Sequence, residues 1–325
     1  MRIVCFILLM LITNLLYSQV IIEGVPRDTS FTVHSTYHKE VKNRPYIKIA
    51  EPNYADSIIW LENITYLKLN KDRELKLNIY RPNNEEKYPA LLMVHGGGWS
   101  SGDLSLQIPM AQRIASRGYV TIPVEYRLSP EAKYPAAIHD LKAAVKWIRA
   151  NAHNYSIDTT KIAISGCSAG GQLASLIGTT NGQESYEGPY NLGYSSDVHA
   201  VINIDGSLDF TVSDGIDRVN ADLKKGKLPA SVKWLGGSYK ERKDMWIAAS
   251  PVFQVTENSA PTCFINSSIP RFHDGRDDMI LRLSKYAIYT EVHTIDDTPH
   301  PFWLLYPWFN QTVQYMVGFL DKMFK

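Results

Sequence analysis

The sequence predicts an α/β protein, built on a mostly parallel sheet with helices on both faces. Three observations carry that expectation. Short apolar runs alternate with longer segments of helical period. The runs are apolar at consecutive positions, as strands covered on both faces should be. Two of them lead straight into glycine-rich turns: 90–94 into His95-Gly96-Gly97-Gly98-Trp99, and 162–164 into Gly166-Cys167-Ser168-Ala169-Gly170-Gly171. Functional loops should then cluster at the carboxyl ends of the strands.

Taken in order, residues 1–18 read as a secretory signal, with Arg2 as the positive start, an apolar stretch over 3–16 and a cleavage site before Gln19. The apolar stretch is short for a permanent membrane span. Residues 19–58 are polar and without period, a lead-in that wraps the domain, and residues 59–325 are expected to form one α/β domain. Segments 64–69 and 75–80 alternate and are joined by a polar turn, so an antiparallel pair is expected. The strand 90–94 precedes the glycine loop, 106–117 reads as a helix and 119–124 as a strand. Residues 136–152 are the clearest helix, with Ala136, Ile138, Leu141, Val145 and Ile148 on an apolar face. The strand 162–164 and its turn continue into a helix over 172–177. Further strands are expected at 201–204, 262–265 and 289–295, and a last helix over 304–323. Between the sixth and seventh strands, about 206–260, lies an insert with a weak helix around Trp246, placed to build a lid or one wall of a pocket.

Composition narrows the function classes. The chain has 325 residues, 45% apolar and 21% charged, with net charge +1, and loss of Arg2 with the leader brings it to zero. Nothing there points to nucleic acid or to a membrane surface after signal removal. Outside the leader, with its Cys5, only Cys167 and Cys263 remain, both beside central strands, which fits buried small residues rather than a disulfide. An exported chain of this kind suits a bacterial periplasm or the medium.

Chemistry concentrates in three places. Gly-x-Ser-x-Gly between a strand and a helix lifts one serine hydroxyl off the strand end, and the small residues let the chain reverse sharply. Ser168 is therefore the expected nucleophile. The glycines at 96–98 free backbone N–H groups to face a developing oxyanion, with Gly97, Gly98 and Ala169 as the expected donors. No Lys-Ser or Lys-Thr pair follows them, against a phosphate loop. His300 lies in the loop after the last strand, where it can take the serine proton. Of the other histidines, His293 sits on a strand, His139 and His153 on a helix, His34 and His38 in the polar lead-in, and His95 in the glycine loop. No Cys/His cluster at ligand spacing suggests a metal, and no organic cofactor is expected.

With these pieces in order, the chain resembles the α/β-hydrolase superfamily, closest to the hormone-sensitive-lipase-like and bacterial feruloyl-esterase-like serine carboxylesterases. The resemblance covers roughly residues 60–322. It rests on His95 to Trp99, Tyr126-Arg127-Leu128-Ser129-Pro130, Tyr134-Pro135-Ala136-Ala137, Gly166 to Gly171, Ala249-Ser250-Pro251 and Pro299-His300. It implies an eight-stranded sheet and a Ser-His-Asp acyl-enzyme mechanism. In the relatives the acid stands just after the seventh strand, where this chain has Pro270 instead. Asp274 is the nearest carboxylate and is taken as the acid, with Asp277, Asp278, Asp205 and Asp209 as alternatives, the first two being suited also to capping a helix. The resemblance further implies a small ester or an esterified oligosaccharide as substrate, carrying acetyl, methyl or feruloyl groups; Trp99 and Trp303, adjacent to the glycine loop and to His300, are expected to line the pocket. An amide hydrolase using the same residues, or an inactive fold serving as a binding module, are the rival readings.

Overall fold

Residues that are apolar at every position become central strands here because both faces of the sheet are covered. In a computed structural model of the chain, the described residues are 20–22, 24–53, 55–190 and 193–325, so the expected signal at 1–18 lies outside them. The main sheet has eight strands, numbered along the chain: β1 (Ile58–Lys68), β2 (Glu74–Pro82), β3 (Tyr88–Val94), β4 (Val120–Val124), β5 (Ile157–Cys167), β6 (Ala200–Ile204), β7 (Thr262–Asn266) and β8 (Thr290–Thr294). Their spatial order is β8-β7-β6-β5-β3-β4-β2-β1. Only the pairings of β2, with β1 and with β4, are antiparallel.

Side chains of β3 leave alternately to two cores. Leu91 and Met93 meet helices α2 (Ile108–Ala115) and α9 (Trp308–Phe324) through Ile114, Phe309 and Phe319. Ala90, Leu92 and Val94 meet α3 (Ala136–Asn151) and α4 (Ala169–Thr179) through Leu141, Val145, Leu173 and Ile177. Each fully buried side chain of this size contributes roughly 1.5–3 kcal/mol. The three-layer arrangement is thus driven from both faces at once.

Several boundaries differ from the sequence expectation, for local reasons. Over 106–117 the helix is confined to 108–115, after a 3-10 turn at Leu104–Gln107, because Pro109 sits in its first turn and starts it. The last helix starts at Trp308 rather than near 304, since Leu305–Tyr306 instead pairs with Lys48–Ile49 of the lead-in. The lead-in also holds a helix, α1 (Val33–Glu40), capped by Thr32, which exchanges side-chain and backbone hydrogen bonds with Ser35. Between β6 and β7 lie three helices, α5 (Ser213–Lys224), α6 (Ala230–Leu235) and α7 (Lys243–Ala248). Among the described residues no helix is long and apolar enough to cross a membrane.

The strand register sets the positions from which catalysis could operate. Cys167 pairs with Ile204, and Ile204 with Ile265, so β5 and β6 end in one row and β7 runs one residue beyond it. Val94 stands beside Gly166, one row earlier. The residues that follow, His95, Ser168, Asp205 and Asn266, therefore emerge side by side from the same edge of the sheet.

The stretch after β4 is anchored from below. Arg127 donates through Nε to both carboxylate oxygens of Asp140 on α3, at 3.0 and 2.9 Å, and through Nη2 at 2.6 Å. The Arg127 backbone N–H adds a further bond of 2.9 Å to the same carboxylate. Burial pushes the Asp140 carboxyl up, against the pull of Arg127, so this anion depends on its partner. Arg127→Leu strands that charge, and a loss of about 3–5 kcal/mol in urea unfolding is expected. A loss below about 1 kcal/mol would show the pair to be dispensable.

Candidate active site

The turn after β5 holds Ser168 at φ 54° and ψ −120°, a region L-residues avoid. What keeps it there is close packing. Its N–H bonds to the Ile204 carbonyl at 2.7 Å. A Cβ on Gly170 would lie 2.2 Å from the Val94 carbonyl oxygen and 2.6 Å from that of His95, so the new helix can begin only if that residue has no side chain.

Ser168 Oγ lies 2.8 Å from His300 Nε2, and His300 Nδ1 lies 2.9 Å from Asp205 Oδ2. Asp205, itself at φ 53°, is fully buried. Its other carboxylate oxygen accepts from the Ser267 backbone N–H at 2.8 Å and from Asn266 Nδ2 at 3.4 Å. Charge on this buried carboxylate is thus met by three donors. Burial pushes the His300 imidazole below its ordinary value, and the Asp205 carboxylate opposes that shift.

The glycine loop lies against this turn: a Cβ on Gly96 would come within 3.2 Å of Ser168 Cβ. Gly97 at φ +125° permits the sharp bend, and its carbonyl accepts from Ser100 and Ser101. Among the described residues the N–H groups of Gly97, Gly98 and Ala169 donate no hydrogen bond, which leaves them available to an incoming oxygen. His95 is buried, stacks on Tyr126 at 4.5 Å and contacts the Gly96 carbonyl, while Tyr126 Oη donates to the His95 carbonyl. Its role is to brace the loop. Ser129 N donates to the Trp99 carbonyl, so the stretch after β4 holds the loop from the other side.

The acid expected at Asp274 is not there. Asp274 Oδ2 pairs with Arg218 on α5 at 3.0 Å, and its backbone carbonyl accepts from Leu208. Asp277 is exposed and bonds Arg276, Asp278 is exposed, and Asp209 closes a turn onto Thr211. The contact to His300 comes instead from Asp205, because β6 adjoins the serine strand and ends level with it. The loop after β7 supplies the donors that orient the acid in place of the acid itself. The clue available in the sequence was Asp205 standing directly behind an apolar strand and ahead of Gly206, in the same relation to its strand as Ser168 has to its own.

Of the two tryptophans expected in the pocket, Trp303 is buried and Trp99 is half-buried. Trp303 is 2% exposed and meets His300 edge-on, with ring centroids 5.2 Å apart. Trp99 stacks on Trp234 of the insert at 4.8 Å, and its Nε1 donates to Gln172. Gln172 in turn donates to the Ala249 carbonyl, and Ser250 accepts from Phe210 N, so the Ala249-Ser250-Pro251 stretch clips the insert onto the serine helix. Two residues with no sequence signal complete the site: Gln172, and Phe272, whose ring stacks on His300 with centroids 3.5 Å apart and planes 8° apart.

One group of metal-ligand type exists among the described residues, Cys263, Glu291 and His293, on β7 and β8. Glu291 there already accepts from Lys322, His293 and Tyr289, which hold its carboxyl at about 2 against the opposing effect of burial. Lys322 supplies the positive charge, and the cluster reads as a satisfied ion pair at the sheet edge.

Fold and geometry together define an α/β-hydrolase with Ser168, His300 and Asp205 hydrogen-bonded in line at the carboxyl edge of its sheet. The chain belongs to the BD-FAE family, whose model matches residues 77–271. It is similar to esterase LipC of Mycobacterium tuberculosis, 31% identical over 182 residues, which are 55% of this chain and 44% of that one. An arylesterase of Saccharolobus solfataricus is 38% identical over 104 residues, 32% of this chain and 34% of the relative. The matches thus span at most about half the length of these curated relatives. Among solved structures, a bifunctional GH43-CE protein of Bacteroides eggerthii aligns at TM-score 0.67 and 26% identity, over 84% of this chain and 39% of that one. Esterase B of Lactobacillus rhamnosis aligns at TM-score 0.68 and 18% identity, over 90% and 93%.

The packing around the serine turn is testable without substrate. Gly170→Ala drives a methyl into two carbonyls, and a loss of about 1–3 kcal/mol or more is expected in thermal unfolding. Parental stability in that variant would mean the turn is looser than its contacts imply.

Proposed function

We propose that the protein is a serine carboxylesterase acting on small or carbohydrate-linked esters. The observation that carries this reading is the unbroken relay from Ser168 through His300 to Asp205 beside three unpartnered backbone N–H groups. Ser168 Oγ attacks the ester carbonyl carbon as its proton passes to His300 Nε2, and the oxyanion is held by the N–H groups of Gly97, Gly98 and Ala169. The carbon–oxygen bond to the alcohol then breaks, with His300 returning the proton to the leaving oxygen. Water, deprotonated by the same nitrogen, attacks the acyl-serine and releases the acid. Asp205 keeps Nδ1 protonated and steadies the imidazolium.

A carbohydrate-linked substrate is favoured by a groove of about 1330 Å³ on the flank of the oxyanion loop, lined by Asp28, Ser100, Ser129, Lys133, Ser238 and Glu241 among others. It offers hydroxyls and charges to a polyol beside a larger apolar lining that includes Leu223, Leu228 and Val232. The similarity to the B. eggerthii protein, whose description includes CE, points the same way. Export rests on the sequence of residues 1–18 alone.

Turnover of p-nitrophenyl acetate tests the chemistry, and release of acetate, methanol or ferulate from xylan and pectin fragments tests the substrate. Ser168→Ala should lose about 10⁴-fold or more in kcat. Asp205→Asn should fall by about 10⁴-fold, while Asp274→Asn stays near parental. Equal turnover by parent and Ser168→Ala would sink the reading.

The pH profile follows from the sign of the His300 shift. The base acts only when neutral, and burial lowers its folded value below the ordinary 6.5. The acid limb of kcat/KM should therefore have its midpoint below 6.5, with full activity through neutrality. A midpoint above 6.5 contradicts the assignment.

A further inference from the structure

Because the acid lies on the loop after β6, the loop after β7 is released from carrying it and does something else. Its 3-10 turn, Pro270–Phe272, lays the Phe272 ring flat on the imidazole of His300, with centroids 3.5 Å apart and planes 8° apart. The Arg271 guanidinium stands 4.7 Å from the centroid of that ring. Trp303 closes the imidazole edge-on at 5.2 Å. The loop itself is fastened: Ser267 N bonds Asp205, Ser268 N bonds Thr298 Oγ1, and His273 Nε2 contacts the Ser267 carbonyl. Thr298 stands two residues before His300, so the histidine loop and the Phe272 loop are tied together at their roots.

We propose that Phe272 is a positioning residue for His300, holding the imidazole in the plane that joins Ser168 to Asp205 and keeping water off its face. This rests on the esterase reading for its consequence in turnover, although the stacking itself does not. A histidine with two hydrogen bonds can still rock by rotation about χ1 and χ2, because each bond tolerates some misalignment before it weakens steeply. A flat aromatic face at van der Waals distance restrains that rotation. The charged groups facing His300 are Asp205 from the β6 loop, Arg271 from the β7 loop and Lys39 from α1. The first favours the imidazolium, and the other two disfavour it. The ring of Phe272 acts on the same balance in two opposed ways. Its π face attracts a cation, while its bulk removes hydration from one, and burial is the larger influence on this histidine.

The test follows the His300 imidazole by NMR titration, its signal assigned with His300→Gln, in the parent and in Phe272→Ala, Phe272→Leu and Phe272→Tyr. The pH profile of p-nitrophenyl acetate hydrolysis is measured on the same proteins. In Phe272→Ala the imidazole midpoint should rise toward the ordinary 6.5, and kcat should fall about 10- to 100-fold with KM changed less than about twofold. Phe272→Tyr should restore both. Phe272→Leu retains apolar cover without a flat face, so it should keep the low midpoint and still lose kcat. Should the alanine variant not fold, the leucine and tyrosine variants decide. An unmoved midpoint in Phe272→Ala, or parental kcat in Phe272→Leu, overturns the proposal. If the parent hydrolyses no ester while the midpoint still rises in Phe272→Ala, the esterase reading fails and the positioning role stands.

Discussion

The shared register of three neighbouring parallel strands is the constraint on which the site depends. Cys167, Ile204 and Ile265 of β5, β6 and β7 share one paired row, and the next residue of each, Ser168, Asp205 and Asn266, bonds His300 or the carboxylate that does. Two of these three residues have positive φ, and each is held by a backbone bond to the adjacent strand: Ser168 N to Ile204, Asp205 N to Ile265. The strain at the serine is therefore opposed by the same ladder that positions it. Backbone geometry, rather than long side chains reaching from distant loops, sets the spacing of nucleophile and acid.

Around that row the remaining elements act as braces. Asp140 fixes Arg127, which fixes the stretch after β4. That stretch holds Trp99 and, through Tyr126, His95. The lead-in joins the same network through Arg27, which reaches Glu125 together with Arg73 from the turn between β1 and β2. The insert is held by aromatic contacts to Trp99, with Trp234 stacked on it and Phe210 meeting it edge-on, and by Gln172. Strands, lead-in and insert thus meet on the oxyanion loop from three sides.

How much of this could be read in the sequence depended on how far apart the interacting residues are along the chain. Ser168 and the glycine loop were legible because steric demands act over a few neighbours: Gly170 must lack a side chain, and Gly97 must bend. The order of strands was legible because burial on both faces leaves continuous apolar runs. His300 was legible from its place after the last strand. The acid was not, since Asp205 and Asp274 are equally polar residues in loops, and only the register of β6 beside β5 distinguishes them. Trp303 and Trp99 stand next to site residues in the chain, but chain proximity carried no information on which way the rings point. Phe272 left no trace, because stacking across 28 residues of sequence has no local pattern.

The position of Asp205 has a consequence for how this scaffold can diversify. Nucleophile and acid share one rigid ladder. The insert between β6 and β7 can therefore be lengthened, shortened or rewritten without moving the carboxylate relative to the hydroxyl. The wall of the site and the spacing of Ser168 and Asp205 become separable traits, carried by different segments and open to change one at a time.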